Sequence, residues 1–249
     1  MPAAIDHSVW LLAFLMLVGA ALYSSVGHGG ASAYLALMAL FGVPPAVMKP
    51  TALVLNLIVA GLGSARYIRA GQFRWRTLWP FLIGAMPFAF LGGWLKLPGE
   101  TYKLLVGGVL LVSAVRLLWP REIRALNETH DPPIWLGVLL GCVIGLLSGL
   151  TGTGGGIFLS PLLLFFAWSA PKPTSGIAAV FILCNSTAGL LGNMAAVKTL
   201  PPHLWLYAGA VLAGAAIGTT LGIRFRAPVV LKALGVVLLV AGTKLLHLY

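Results

Sequence analysis

"SSVGHGGAS", residues 24–32, and "GLTGTGGGI", residues 149–157, interrupt apolar sequence at matching places in the two halves of the chain. Each glycine inside a helix costs roughly 1 kcal/mol relative to alanine, so glycines set nearly side by side read as a break in the backbone. The flanking sequence is strongly apolar, which places both breaks inside segments suited to lipid. Broken backbone at membrane depth is tolerated only where it is buried in protein or lines a cavity, because no water is there to bond its N–H and C=O groups. The reading of these two stretches therefore decides the fold.

Composition supports a membrane setting. Of 249 residues 59% are hydrophobic and 8% charged, with a mean hydropathy of +0.99, against about 25% charged in a soluble domain. The N-terminus "MPAAIDHSVW" carries no basic stretch and no small-residue cleavage site, so no cleaved signal peptide is expected. Cys142 and Cys184 lie within apolar runs, which argues against a disulfide framework or a metal site. The net charge of +11 sits in short loops between apolar segments, as topology signals and headgroup contacts do, and gives no reason to expect a nucleic-acid partner.

Ten apolar segments are predicted, at 9–26, 31–42, 51–66, 77–96, 102–119, 134–150, 157–168, 174–197, 203–223 and 228–248. The eight tryptophans fall at or beside segment ends, as an interfacial belt would place them. The second and seventh segments, each following a glycine break, are roughly 12 residues or ~18 Å of helix, short of a ~30 Å hydrocarbon core. The chain reads as a tandem duplication of 1–125 and 126–249, integrated as one membrane domain. Gly27, Gly29 and Gly30 align with Gly152, Gly154 and Gly155, and "LVSAVRLL" (111–118) with "LVAGTKLL" (239–246). Asn56 is paired with Asn185, whereas "KPTA" (49–52) and "KPTS" (172–175) imply a different offset and are read as an accidental match.

Five segments per half invert the second half relative to the first. If all ten segments cross, Arg66, Arg69, Arg74, Arg76, Arg116, Arg121, Arg124, Lys172, Arg224, Arg226 and Lys232 share one side, and Lys49, Lys96, Lys103, Lys198 and Lys244 the other. That is eleven against five; if the short segments turn back to the side they came from, the division is nine against seven. The positive-inside rule favours the inverted, ten-crossing arrangement with both termini outside the cytoplasm, that is, periplasmic.

The first turn after each break is a helix N-terminus carrying roughly half a positive charge, and glycine lets a ligand reach its N–H groups. In an inverted pair the two N-termini meet near mid-membrane. The candidate substrate-binding residues are Ser25, Gly27, His28, Gly29, Gly30, Asn56, Gly152, Thr153, Gly154, Gly155 and Asn185. His28 could pair with an anion or carry a coupled proton, with Thr153 in the matching place; a neutral, hydrogen-bonded histidine is the alternative. A valine at Gly29 or Gly154 is expected to stop transport in a folded protein. The stripes Gly137, Gly141, Gly145, Gly149 and Gly214, Gly218, Gly222 read as helix packing instead. Arg66, Lys103, Arg116 and Lys244 are expected to snorkel. All five acidic residues (Asp6, Glu100, Glu122, Glu128, Asp131) lie in the tail or loops, unlike in cation transporters, so an anion or neutral solute fits better than a cation. No catalytic residue, metal or cofactor is expected: His28 beside Ser24 and Ser25 lacks a carboxylate partner, and no ATP-binding motif is present.

"GTGGGIFLSPLL" (152–163), the looser "GHGGASAYLAL" (27–37), the two asparagines and "AGQFRWRTL" (70–78) resemble the sulfite-exporter TauE/SafE transporters over nearly the whole chain. The first motif departs from that pattern, with Ala31 in place of the third glycine and Ala36 where the second half has Pro161. The resemblance implies a secondary transporter of sulfite or organosulfonates, often outward, by alternating access in a bacterial inner membrane. Its partners would be a small anion, the lipid bilayer and, optionally, a second copy in a homodimer. A carrier or channel for another small anion and a non-catalytic membrane scaffold are the alternative readings.

Overall fold

The computed structural model describes residues 7–118, 129–194, 200–224 and 228–246. They form helices α1 (His7–Ser24), α2 (Ala31–Leu40), α3 (Pro45–Arg69), α4 (Trp75–Trp94) and α5 (Gly99–Leu118), then α6 (Ile134–Thr151), α7 (Gly156–Phe165), α8 (Pro171–Gly192), α9 (Leu204–Arg224) and α10 (Pro228–Leu245). The boundary at 125/126 and residues Asp6, Arg121, Glu122, Arg124, Glu128, Lys198 and Arg226 lie outside the described residues.

The expectation of ten spans holds only in part. Among the described residues six helices are long and apolar enough to cross a membrane: α1, α3, α4, α6, α8 and residues Leu204–Gly222 of α9. Helices α2 and α7 have 10 residues each, about 15 Å of rise. The largest boundary error is at α3, which begins six residues before the expected 51. Lys49 and Pro50 look like loop, yet both are buried inside the helix. Proline opens α3 and α8, where its missing N–H is one no helical carbonyl would have accepted. Glu100, assigned to a loop, lies in the first turn of α5.

Both glycine stripes pack helices, as their spacing predicts. Gly137, Gly141, Gly145 and Gly149 of α6 meet Pro80, Phe81, Ala85 and Ala89 of α4 in ascending order, so α4 and α6 run parallel. Gly214, Gly218 and Gly222 of α9 meet Leu17 and Ala21 of α1 and Ser25 just past its end, in the same sense. Apolar burial does not favour helix over lipid, so close backbone approach supplies the attraction. Helices α3 and α8 are antiparallel, with Leu53 against Gly189, Asn56 against Ser186 and Gly63 against Ala179. Tyr67 Oη donates to Ser24 O at 2.7 Å, so α1 and α3 end together. The first break and α2 thus carry the chain back to the end where α3 starts, as one interrupted segment.

Five tryptophans (Trp10, Trp75, Trp94, Trp135 and Trp205) are exposed near helix ends. Trp168 is buried instead, stacked on Phe166 at 4.7 Å and tilted against Phe81 at 5.9 Å. One apolar core gathers α1, α2, α3, α5, α9 and α10, and a second gathers α4, α6, α7 and α8. Helix α3 and helix α8 pack against each other between them.

Candidate functional site

Asn56 is 0% exposed at the middle of α3. Both breaks close on it. A Cβ on Gly29 would collide with Asn56 Oδ1, and one on Gly154 with Asn56 Nδ2. Ile182 of α8 meets the same two glycines, 3.0 Å from a Cβ on Gly29 and 2.9 Å from one on Gly154. Asn56 and Ile182 each stand eleven residues after the proline that opens their helix. The packing therefore pairs Asn56 with Ile182, and the expected pairing with Asn185 is corrected. Asn185 lies one turn further along α8, its Nδ2 donating to Gly154 O at 3.4 Å. The same register sets Lys49 opposite Ser175: Gly152 abuts the backbone of Lys49, and Gly27 that of Ser175. Lys49 and Lys172 thus do not occupy corresponding contacts against the two breaks.

The junction is polar but incompletely bonded. Asn56 Nδ2 donates to Ser186 Oγ at 3.3 Å, while Oδ1 of Asn56 and Oδ1 of Asn185 have no partner among the described residues. A buried polar atom left without a partner costs about 1–3 kcal/mol. Gly30 and Gly155 are the N-caps of α2 and α7, both in the left-handed region at φ 91° and 80°, and no side chain caps either helix. Two helix N-termini, local centres of positive potential, thus lie buried at the junction without a side-chain cap.

His28 ties the first break to α7. Its Nδ1 lies 3.0 Å from Val26 O, to which it donates, and its Nε2 lies 3.2 Å from Ser160 Oγ. Ser160 Oγ also lies 3.0 Å from Gly156 O. If the hydroxyl points to Nε2, the ring is neutral; if it points to Gly156 O, Nε2–H donates to Oγ and the ring is an imidazolium. One hydroxyl rotation thus accommodates either charge state.

Other candidates fall elsewhere. Ser25 is set apart from the junction: its Oγ donates to Leu22 O at 2.6 Å and its carbonyl faces Gly222. Thr153 is buried with its hydroxyl 3.0 Å from Thr151 Oγ1. Gly27 and Gly152 serve helix contacts rather than the junction. The expected valine variants are not clean probes of binding, since Gly154 has φ +77° and a side chain at either glycine would strike Asn56. Arg66 does not snorkel: Nη1 donates to Thr219 Oγ1 at 2.9 Å and Ala216 O at 2.6 Å, tying α3 to α9. Lys244 donates to Leu40 O at 3.1 Å and Lys103 pairs with Glu100 at 2.8 Å; the Arg116 side chain lies outside what is described. Sequence reasoning missed Ser160, Ser186 and Ile182. The available signal for Ser160 was its place four residues past Gly156, one helical turn from the break.

A bundle of apolar helices with two half-length helices that lack side-chain caps is a multi-pass membrane architecture. The family model for sulfite exporter TauE/SafE matches residues 11–245. The chain is 41% identical over 239 residues to the probable membrane transporter protein y4hK of Sinorhizobium fredii, covering 94% of this chain and 97% of that one. It is 29% identical over 258 residues to the probable membrane transporter protein YjnA of Bacillus subtilis, covering 96% and 100%. YunE of Bacillus subtilis, also a probable membrane transporter protein, is 24% identical over 230 residues, covering 82% of each chain. No solved structure matches the chain. The chain belongs to the TauE/SafE family of membrane transporters, and it is a transporter rather than an enzyme.

Proposed function

We propose that this transporter is a secondary carrier of small sulfur-containing oxyanions, sulfite or organosulfonates, and that it exports them by alternating access across a bacterial inner membrane. The observation that carries the reading is the convergence of Gly29 and Gly154, one from each break, on the buried Asn56 beside two uncapped helix N-termini. Backbone N–H groups at such termini suit an oxyanion, and the amides of Asn56 and Asn185 supply further hydrogen bonds. The tight closure of both breaks on one side chain favours a carrier over an open channel. Two inverted five-helix halves are the corresponding architecture. It is supported by the parallel pairs α4/α6 and α1/α9, which exchange under the duplication, and by the antiparallel α3/α8 pair at its centre. In that architecture the loop 67–76 faces the cytoplasm and the loop 198–202, whose first two residues lie outside the described set, faces the periplasm with both termini.

The substrate is tested by uptake into proteoliposomes from a panel of sulfite, taurine, sulfate and acetate, with and without an imposed pH gradient. Saturable uptake of sulfite or taurine above acetate is expected; indifference to the sulfur oxyanions would overturn the assignment. The topology is tested by membrane-impermeant thiol labelling of Gln72→Cys and Pro201→Cys on a background lacking Cys142 and Cys184. Labelling from opposite faces is expected, and labelling from one face contradicts the inversion.

A further inference from the structure

A cavity of about 350 Å³ opens where α3 begins and α4, α6 and α8 end, with Lys49, Lys96, Tyr102, Leu150 and Asn193 among its lining residues. Lys49 is 8% exposed. Its ammonium donates to the carbonyls of Gly92 at 2.9 Å, Gly93 at 3.0 Å and Leu95 at 3.3 Å, at the C-terminus of α4. That terminus offers roughly half a negative charge, and no carboxylate among the described residues pairs with Lys49. Glu100, on neighbouring α5, is held by Lys103 at 2.8 Å. Lys96 adds a second positive charge on the cavity wall, exposed and without an ion pair among the described residues. Asn193 is 7% exposed and its amide nitrogen has no hydrogen-bond partner among the described residues. The three N–H bonds of Lys49 are all taken by those carbonyls, so its charge acts on the cavity through space, while Asn193 Nδ2 is an unused donor on the wall.

We propose that this cavity is a vestibular binding site for a small oxyanion. It adjoins the second break: a Cβ on Gly152 would lie 3.1 Å from Lys49 O, and Tyr102 Oη donates to Thr151 O at 3.0 Å. The equivalent of Lys49 in the other half is Ser175, so the site exists at one end of the transport path only. An anion held there is staged one step from the Asn56 junction. The oxyanion is either free in solution or the phosphate of an anionic lipid headgroup, unlike phosphatidylcholine, whose phosphate is balanced by its choline; both present net negative oxygens to the cavity.

The test uses the purified full chain in phosphatidylcholine nanodiscs, titrated calorimetrically with sodium sulfite at constant ionic strength. Asn56→Leu removes the central site and leaves the cavity intact. Sulfite binding is expected to persist in Asn56→Leu and to weaken by about tenfold or more when Lys96→Gln or Lys49→Met is added, as loss of a positive charge from the cavity wall predicts. Lys96 is exposed, so its variant folds even if Lys49→Met does not. A parallel arm with phosphatidylglycerol discs assigns the source: weaker sulfite binding there, and only while both lysines are present, shows lipid phosphate competing for the cavity. Residual binding indifferent to both lysines, or no binding to Asn56→Leu in either lipid, overturns the vestibule. Loss of binding with Asn56→Leu alone leaves the central reading standing.

Discussion

The break at residues 25–30 and the break at residues 152–155 share two left-handed glycines but differ at the glycine before the N-cap, where Gly154 has φ 77° and Gly29 is not left-handed, and they differ in their linings. Gly27 and Gly30 have φ of 77° and 91°, their counterparts Gly152 and Gly155 86° and 80°, and each break leads into a 10-residue helix. Around that backbone the side chains diverge. His28 stands where the second break has Thr153, and Gly27 rests on Ser175 where Gly152 rests on Lys49. Nine of the ten residues of α2 are buried, whereas α7 ends on Phe165, 82% exposed. The paired N-termini need only glycine and geometry, so both halves keep them. Among the described residues the histidine, the buried lysine and the covered short helix have no counterpart at the other break, and they are what can make the two faces of the transporter unequal.

The comparison breaks most sharply if the two breaks do not meet. With His28→Cys and Ser160→Cys on a background lacking Cys142 and Cys184, a short thiol cross-linker is expected to join the halves and stop transport entirely in the cross-linked fraction. Absence of cross-linking at low reagent, with both thiols reactive, contradicts the contact between the first break and α7.

The next effect separates glycine as backbone from glycine as contact surface. Gly154→Ala combines a positive φ with a collision at Asn56 and 3.0 Å to Ser186 Oγ, and should cost about 3 kcal/mol from strain plus overpacking. Gly71→Ala, at φ +68° with open space around it, should cost only about 1 kcal/mol. Urea or thermal unfolding in detergent measures both, and equal losses would mean that the closure on Asn56 adds nothing.

Much of this architecture was legible because glycine and apolar runs act locally. The two breaks, the short helices after them and both packing stripes follow from spacing alone. The register of α8 was not legible, since an Asn–Asn match is chemically persuasive while the packing pairs Asn56 with Ile182. Nor was the start of α3: a lysine and a proline read as loop until the carbonyls that hold Lys49, forty-odd residues away in sequence, are in view. Arg66 escaped for the same reason, its partners Ala216 and Thr219 lying in the other half.

A smaller effect concerns His28. Protonation places a positive charge beside the first break, so anion affinity should be highest at low pH and fall as the proton leaves with rising pH. His28→Gln keeps a hydrogen bond, carries no charge, and should flatten that dependence while lowering acid-side affinity several-fold. Calorimetric sulfite titrations of both proteins provide the check; parallel profiles would leave the helix N-termini as the anion's main partners. The smallest effect is expected at Glu100→Gln, which removes an exposed pair with Lys103 and should change unfolding free energy by less than about 1 kcal/mol. A larger loss would mean that the α5 start supports more than its own first turn.

The central claim is that an anion is held where both breaks close on Asn56, and Asn56→Leu in sulfite-loaded proteoliposomes tests it most directly. Leucine matches the side chain in size; it removes the unpaired Asn56 Oδ1 and also takes from Ser186 Oγ its Asn56 donor, two opposing effects of about 1–3 kcal/mol each. The account predicts an unfolding temperature within about 4 °C of wild type together with transport reduced by about a hundredfold, as loss of an oriented polar partner of the bound anion should produce. Sulfite transport by Asn56→Leu at the wild-type rate would contradict it.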